Sequence, residues 1–213
     1  MDSIFILESP SHRQSSLRSL RIESHRSIES LKVNLRLDTL TGLEYLHLSC
    51  TGELSFCEGV CLPPELQSIA IYSHKTSPPL TEWSLQDLTA LSSLTILELG
   101  EMENTLMVDS LLPNSLVSLT VGDNLSFEGN GIRHLSSLQN LDFYNCRHLK
   151  SLPENCLPSL LKSLEFINCE RLESLPEDSI PTSLKKLTIE ECPLLEERCE
   201  ILDQTLVWSK GSL

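Results

Sequence analysis

The chain has 213 residues, of which 40% are hydrophobic and only 5% aromatic, and its formal net charge is −14 at pH 7. A folded chain of this length has enough apolar residues for one sizeable core or one elongated array of repeats. Its strong negative charge would be repelled by phosphate backbones, which argues against nucleic acid as a partner.

Signals for membrane insertion and secretion are weak along the chain. No apolar run comes near the roughly 18 residues that suggest a membrane-spanning helix. The apolar segment 4–7 is too short for a secretory signal, and the acidic residues Asp2 and Glu8 flank it. We therefore expect a cytoplasmic protein with no membrane span.

Eight cysteines are present, but their positions argue against a disulfide framework. Cys146, Cys169 and Cys192 are each 23 residues apart, which indicates equivalent structural positions rather than bridging pairs. There is no CxxC pair, and Cys57 and Cys61 lack the second pair or histidine cluster that would complete a zinc site. We expect reduced, mostly buried thiols and no bound metal.

The dominant sequence feature is a repeated L-x-x-L-x-L pattern. Its eight copies begin 22 to 28 residues apart, within the period of leucine-rich repeats. They begin at Leu17, Leu43, Leu66, Leu94, Leu116, Leu138, Leu161 and Leu184. In the L-x-L part, the leucines point to the opposite face from the residue between them. One repeat cannot bury its leucines alone, so neighbouring repeats stack and pair their strands in parallel.

A second inward position follows each strand, three residues past its last apolar residue. In this fold it holds an Asn or Cys side chain that satisfies loop backbone groups. The residues at this position, the structural ladder, are His74, Asn124, Cys146, Cys169 and Cys192.

The approach to each strand comes in two forms. Three residues before the first leucine lies a proline at Pro63, Pro113, Pro158 and Pro181, or a leucine at Leu40, Leu91 and Leu135. Proline favours irregular or polyproline-like backbone, whereas the leucine form favours a short helical turn. The sequence therefore predicts an α/β solenoid, a leucine-rich repeat horseshoe. Its parallel β-sheet would line the concave face, and its convex segments would be mostly irregular, short-helical or polyproline-like.

Three regions lie outside the clear repeat pattern. Residues 27–40 alternate like a strand but begin too soon after the first repeat, so they form an irregular insert or an extra strand. Residues 1–16 are an N-terminal segment in which residues 4–7 would add one strand. The repeat domain of about eight repeats covers residues 17–199. Residues 200–213 form a divergent C-terminal tail, in which Trp208 would partly cover that end.

The residues between the inward leucines form the candidate binding surface. Their central column reads Arg21, His47, Ala70, Glu98, Thr120, Asp142, Glu165 and Thr188, basic or neutral early and acidic later. For any single residue, an ordinary solvated strand position is the simpler interpretation. Interface hot spots favour aromatic residues, however, and solenoids offer extended concave surfaces. We therefore expect a protein-binding surface that includes Arg21, Tyr45, His47, Tyr72, Glu98, Asp142, Tyr144, Glu165 and Ile167.

The stretches NCRHLKSLPE, NCERLESLPED and SLKKLTIEECPLLEERC, all within residues 138–199, resemble a known repeat region. It is the leucine-rich region of plant intracellular NB-ARC (coiled-coil, nucleotide-binding) disease resistance proteins. The resemblance covers about residues 15–199. It implies a role in the defence response, through recognition of a pathogen effector or packing on the receptor's nucleotide-binding and coiled-coil domains. The chain has no GxxxxGK[ST] phosphate loop, so it resembles an excised domain or a truncated product.

Other interpretations remain open. Bacterial secreted effectors carry LPxxLxxLxV repeats, although their repeats tend to be uniform, whereas the spacing here is uneven. A substrate adaptor of the ubiquitin system would need an adaptor-binding helical segment before the repeats, and the sequence shows none. Enzyme motifs such as GxSxG and HExxH are absent. We expect no enzyme activity, no catalytic residues and no cofactor.

Overall fold

The computed structural model describes residues 3–5, 17–24, 30–33, 37–51, 53–56, 61–73, 88–100, 105–107, 112–122, 125–127, 132–175, 180–199 and 208–210. Nine strands form the main sheet. They are β2 (Ser19–Ser24), β4 (Tyr45–Cys50), β6 (Ser68–Ser73), β7 (Ile96–Gly100), β9 (Ser118–Gly122), β11 (Asn140–Tyr144), β12 (Ser163–Ile167), β13 (Lys186–Glu190) and β14 (Trp208–Lys210). They lie side by side in chain order, and every neighbouring pair is parallel. Strands β2 to β13 of this sheet are the eight predicted repeats, which confirms the leucine-rich repeat solenoid.

The core lies on one side of this sheet. In β11, Leu141 and Phe143 are fully buried, whereas Asp142 between them is only partly buried. The same alternation recurs in β12, where the Phe166 ring stacks on that of Phe143 with centroids 4.9 Å apart. Stacking of equivalent apolar residues from repeat to repeat builds one continuous core, since a single repeat has nothing else to pack against.

The cysteines of the structural ladder lie inside the solenoid. Cys146, Cys169 and Cys192 are fully buried, and each thiol points at carbonyl oxygens of its own strand and of the preceding one. The Sγ of Cys192, for example, lies 3.2 Å from the oxygen of Glu190 and 3.6 Å from that of Phe166. The predicted ladder positions His74 and Asn124 lie outside the described residues.

Both forms of the approach make the same turn. The N–H of the first leucine of a repeat bonds to the carbonyl three residues earlier, as in Leu66 to Pro63 and Leu138 to Leu135. In the leucine form a further turn precedes it, because the Leu135 N–H donates to the Ile132 oxygen at 3.0 Å. This turn is a 3₁₀ helix at Leu37–Thr39 and at Leu88–Ala90. Proline has no N–H and cannot make that extra bond, which explains why the two forms differ.

Short strands follow several of the main strands and form a second set of parallel pairs. Strands β1 (Ser3–Phe5), β3 (Ser30–Val33) and β5 (Glu53–Phe56) form one small sheet, in the order β1-β3-β5. Strands β8 (Thr105–Met107) and β10 (Leu125–Phe127) form another. Ser151 and Ser174 make an isolated parallel bridge further along. Of the two interpretations of residues 27–40, the structure therefore supports the extra strand, which is β3. Strand β1 belongs to the same small sheet as β3 and not to the main sheet.

The last repeat ends in the only α-helix among the described residues, α1 (Pro193–Cys199). Proline suits the first helical position because its missing N–H would have no partner there. The Glu196 carboxylate accepts the N–H of Cys192 at 3.0 Å, which ties the helix start to the ladder. Strand β14 then pairs with β13 and extends the main sheet by one strand.

Candidate protein-binding face

The strand register places the predicted binding residues in three columns across the concave face. The central column runs Arg21, His47, Ala70, Glu98, Thr120, Asp142, Glu165 and Thr188 through successive register partners. One flanking column contains Tyr45 and Ile96, and the other contains Tyr72, Tyr144 and Ile167. Neighbouring strands lie about 4.8 Å apart, so consecutive members of a column are within reach of one another.

The charges at both ends of the central column are paired. Arg21 forms an ion pair with Glu23, and His47 Nε2 lies 3.5 Å from a carboxylate oxygen of Glu23. At the other end, Glu165 forms an ion pair with Lys186, which raises the pKa of Lys186. The ion pairs therefore neutralise much of the positive charge at the start of the column and of the negative charge at Glu165.

The carboxylates in the middle of the column have neutral partners. Glu98 accepts a hydrogen bond from the Tyr72 hydroxyl at 2.5 Å, and Asp142 accepts one from the Thr120 hydroxyl at 3.4 Å. Neither has a cationic hydrogen-bond partner among the described residues. Negative charge is therefore concentrated at the centre of the described face.

A groove of about 650 Å³ lies at this centre. Its lining residues are Ser49, Tyr72, Glu98, Gly100, Ser118, Thr120, Gly122, Asp142, Tyr144 and Asn145. Gly100 is the register partner of Tyr72, and Gly122 is that of Tyr144. The two tyrosines therefore stand on either side of two adjacent strands that carry no side chain in this column, and the groove between them has backbone for a floor.

Tyr72 is fixed as one wall of the groove. Its ring leans across the neighbouring strand and lies directly over Gly100. A Cβ added to Gly100 would lie only 2.3 Å from Tyr72 Cδ1. The ring also lies 5.5 Å from the ring of His47, at an angle of 38°. Only glycine at position 100 leaves room for this side chain, which in turn brings its hydroxyl to Glu98.

The carboxyl group of Asp142 is held in an unfavourable environment. Burial raises its pKa to about 6, and the nearby charges of Glu165 and Glu98 add to that effect. The Thr120 hydroxyl and the more distant Lys186 act in the opposite direction but do not compensate. Burial and the negative charge of Asp142 also raise the pKa of Tyr144. A cation entering the groove would relieve this repulsion.

The predicted binding residues differ in how much they expose. Tyr45 is 46% exposed and Tyr144 is 37% exposed, as is Ile96 in the first column. Ile167 is only partly exposed. Ala70 and Thr188 belong to the central column but are buried, so they offer little surface to a partner. Tyr144 is thus the exposed aromatic residue that borders the groove.

Sequence reasoning did not identify the floor of the groove. Gly100 and Gly122 immediately follow the inward residues Leu99 and Val121, at the same position as Tyr72 and Tyr144 in their own repeats. Two adjacent glycines in an otherwise filled column could have been noticed by aligning the repeats. The lean of Tyr72 over Gly100 has no comparable signal in the sequence.

Three further findings concern metal sites, cysteines and membrane spans. Among the described residues, there is no group of three or more His, Cys, Asp or Glu side chains placed to hold a metal ion. Six cysteines in the described part of the chain are free thiols, namely Cys50, Cys61, Cys146, Cys156, Cys169 and Cys192. No helix in that same part is long and apolar enough to cross a membrane.

Comparison with known proteins finds similarity in solved structures alone. No protein-family model and no curated protein matches the chain. The leucine-rich repeat domain of the type III effector XopL superposes with a TM-score of 0.53 at 24% identity, over 79% of this chain and 62% of that domain. The circular leucine-rich repeat protein CroV588 gives a TM-score of 0.46 at 22% identity, over 78% of this chain and 31% of that protein. The chain thus spans about three fifths of the effector domain, and at this identity the likeness is one of fold: a leucine-rich repeat solenoid.

Proposed function

We propose that the chain is a protein-interaction repeat domain that binds another protein on its concave face and catalyses no reaction. The observation that carries this proposal is the open groove at the centre of that face, bordered by the exposed ring of Tyr144. Extended concave surfaces are what solenoids present to partners. Exposed aromatic residues beside a cleft are the usual anchors of an interface.

The finer proposal is that this is the repeat region of a plant immune receptor. It would recognise a pathogen effector or pack on the receptor's nucleotide-binding and coiled-coil domains, in the cytoplasm. The support is the sequence resemblance of residues 138–199, with its NCxxLxSLP repeats. The buried cysteines at 146, 169 and 192 give that pattern a structural reason, since each fills the same inward position.

A bacterial effector-type repeat protein is the second candidate, because a solved domain with the same fold belongs to a type III effector. The uneven repeat spacing and the cysteine ladder favour the plant interpretation. Genomic context separates the two. An upstream reading frame with a GxxxxGK[ST] motif would support the receptor, and a bacterial locus would support the effector.

Site-specific photocrosslinking tests the binding face itself. The purified chain would carry p-benzoylphenylalanine in place of Tyr144 or, as a control, in place of Leu160, which is 56% exposed in the turn before β12. Each form would be irradiated with an isolated receptor nucleotide-binding module and, separately, with extract of infected leaf tissue. We expect a discrete adduct from position 144 and none from position 160, with the partner identified by mass spectrometry. Equal adducts from both positions, or none from 144, would refute binding at this face.

A further inference from the structure

We infer that the groove between Tyr72 and Tyr144 receives an arginine side chain from an extended basic segment of the partner protein. This inference rests on the proposed function, because it names the chemistry of the partner that the concave face binds. It is argued from the shape of the groove, from its charge and from the aromatic groups at its edges.

The shape of the groove fits one long side chain. Tyr72 and Tyr144 are separated by three strand spacings, or about 14 Å, and the strands between them carry Gly100 and Gly122 at that level. The Tyr72 ring already covers Gly100. The open part of the floor therefore lies next to Gly122, with Thr120 and Asp142 beside it.

The charge of the groove selects a cation. Its lining includes two carboxylates, Glu98 and Asp142, and no lysine or arginine. Lys186, further along the sheet, is already paired with Glu165. Glu98 and Asp142 lie in strands on either side of β9, so about 10 Å separates their backbones. That separation suits a group that spans them better than a single metal ion that both would chelate.

The edges of the groove favour arginine over lysine. Guanidinium is planar, has five N–H donors and stacks on aromatic rings, whereas ammonium is a compact, strongly hydrated charge. Tyr144 offers an exposed ring at one edge, and the carboxylates offer acceptors on the floor. An extended segment laid along the columns would place one arginine here and leave its neighbours to contact exposed residues such as Ile96.

Fluorescence anisotropy with three labelled peptides tests the inference. The probes are fluorescein-labelled hexa-arginine, hexa-lysine and hexa-citrulline amides, titrated with the full chain at 0.1 M salt. We expect hexa-arginine to bind at least fivefold more tightly than hexa-lysine, and hexa-citrulline not to bind. The double variant Glu98→Gln, Asp142→Asn should weaken hexa-arginine binding at least tenfold, and Tyr144→Ala should weaken it about threefold.

A charge-matched control separates the groove from the general acidity of the chain. The double variant Glu170→Gln, Glu173→Gln removes the same charge at exposed positions outside the groove, and we expect unchanged affinity. Equal weakening by both double variants, or equal affinity for hexa-arginine and hexa-lysine, would overturn the inference. If crosslinking from position 144 succeeds while hexa-arginine fails to bind, the proposed function stands and only the arginine site falls. If neither is seen, both fall.

Discussion

Replacing Asp142 by asparagine should stabilise the protein at neutral pH. The pKa of this carboxyl is raised to about 6 in the folded chain, chiefly by burial and then by Glu165. The folded state therefore binds a proton more tightly than the unfolded state, where the value is near 3.8. Folding stability must fall as pH rises between these two values, because the unfolded state then holds fewer protons than the folded one. Asparagine removes this loss and still accepts the Thr120 hydroxyl.

The size of the gain follows from that shift. A shift of this size would correspond to about 3 kcal/mol if the carboxyl were sealed from water, at about 1.4 kcal/mol per pH unit. Asp142 is partly exposed, however, and solvent screens its interactions with Glu98 and Glu165. We therefore expect Asp142→Asn to raise the free energy of unfolding by about 1 kcal/mol at pH 7.5. The gain should shrink steadily below pH 6 and vanish near pH 3.5.

Urea denaturation at a series of pH values provides the assay. Glu173→Gln is the matched control, since it removes one charge from an exposed side chain, and it should change stability by less than about 0.5 kcal/mol at any pH. A gain for Asp142→Asn that is equally large at pH 4 and pH 7.5 would contradict an origin in the ionised carboxylate. Loss of stability at pH 7.5 would contradict the whole argument.

Three further predictions concern the scaffold. Glu191 has a φ of 55°, like Asn145 and Asn168 at the equivalent positions, so Glu191→Asn should raise unfolding stability by about 0.5–1 kcal/mol, whereas Glu191→Ala should give no gain. Burial raises the pKa of Cys156 to about 11, so its thiol should react with iodoacetamide at pH 8 at least about 100-fold more slowly in the folded protein than in urea; comparable rates would contradict its burial. Leu135→Pro removes the hydrogen bond from the Leu135 N–H to the Ile132 oxygen and should lower the free energy of unfolding by about 3 kcal/mol. Pro181→Ala should lower it by less than about 1 kcal/mol. Similar losses for the two variants would show that the leucine and proline forms of the turn do not differ in this hydrogen bond.

The main sheet could be predicted from the sequence because two periodicities agree. Alternation with a period of two assigns each strand residue to a face, and the repeat period sets which residues become register partners. Together they predict that Glu98, Asp142 and Glu165 lie in one column, and the strand register confirms it. Shifting any one strand by one residue would turn its leucines to the solvent face, so no alternative register is close in free energy.

The strands of the two small sheets were harder to predict because each of them is only three or four residues long. Three of them share a leucine followed two residues later by a second apolar residue, as in 31–33, 54–56 and 125–127. A pattern of that length cannot be told from a loop until neighbouring repeats are stacked. Helix α1 left a clearer signal, with Pro193 at its first position and Glu196 able to accept the Cys192 N–H.

The features that destabilise the folded chain are concentrated at one groove of the concave face, and this supports the proposal that the face binds a partner. Glycine within a strand destabilises by roughly 0.5–1 kcal/mol. Gly100 and Gly122 line the same groove as Asp142, whose ionisation is disfavoured chiefly by burial. The equivalent positions elsewhere hold ordinary side chains, such as Ser49 and Ile167. A column selected for stability alone would be filled evenly along the sheet. The concentration of these features at one groove, next to an exposed tyrosine, is what a partner would stabilise on binding, because it would supply the missing side chain and the missing positive charge together.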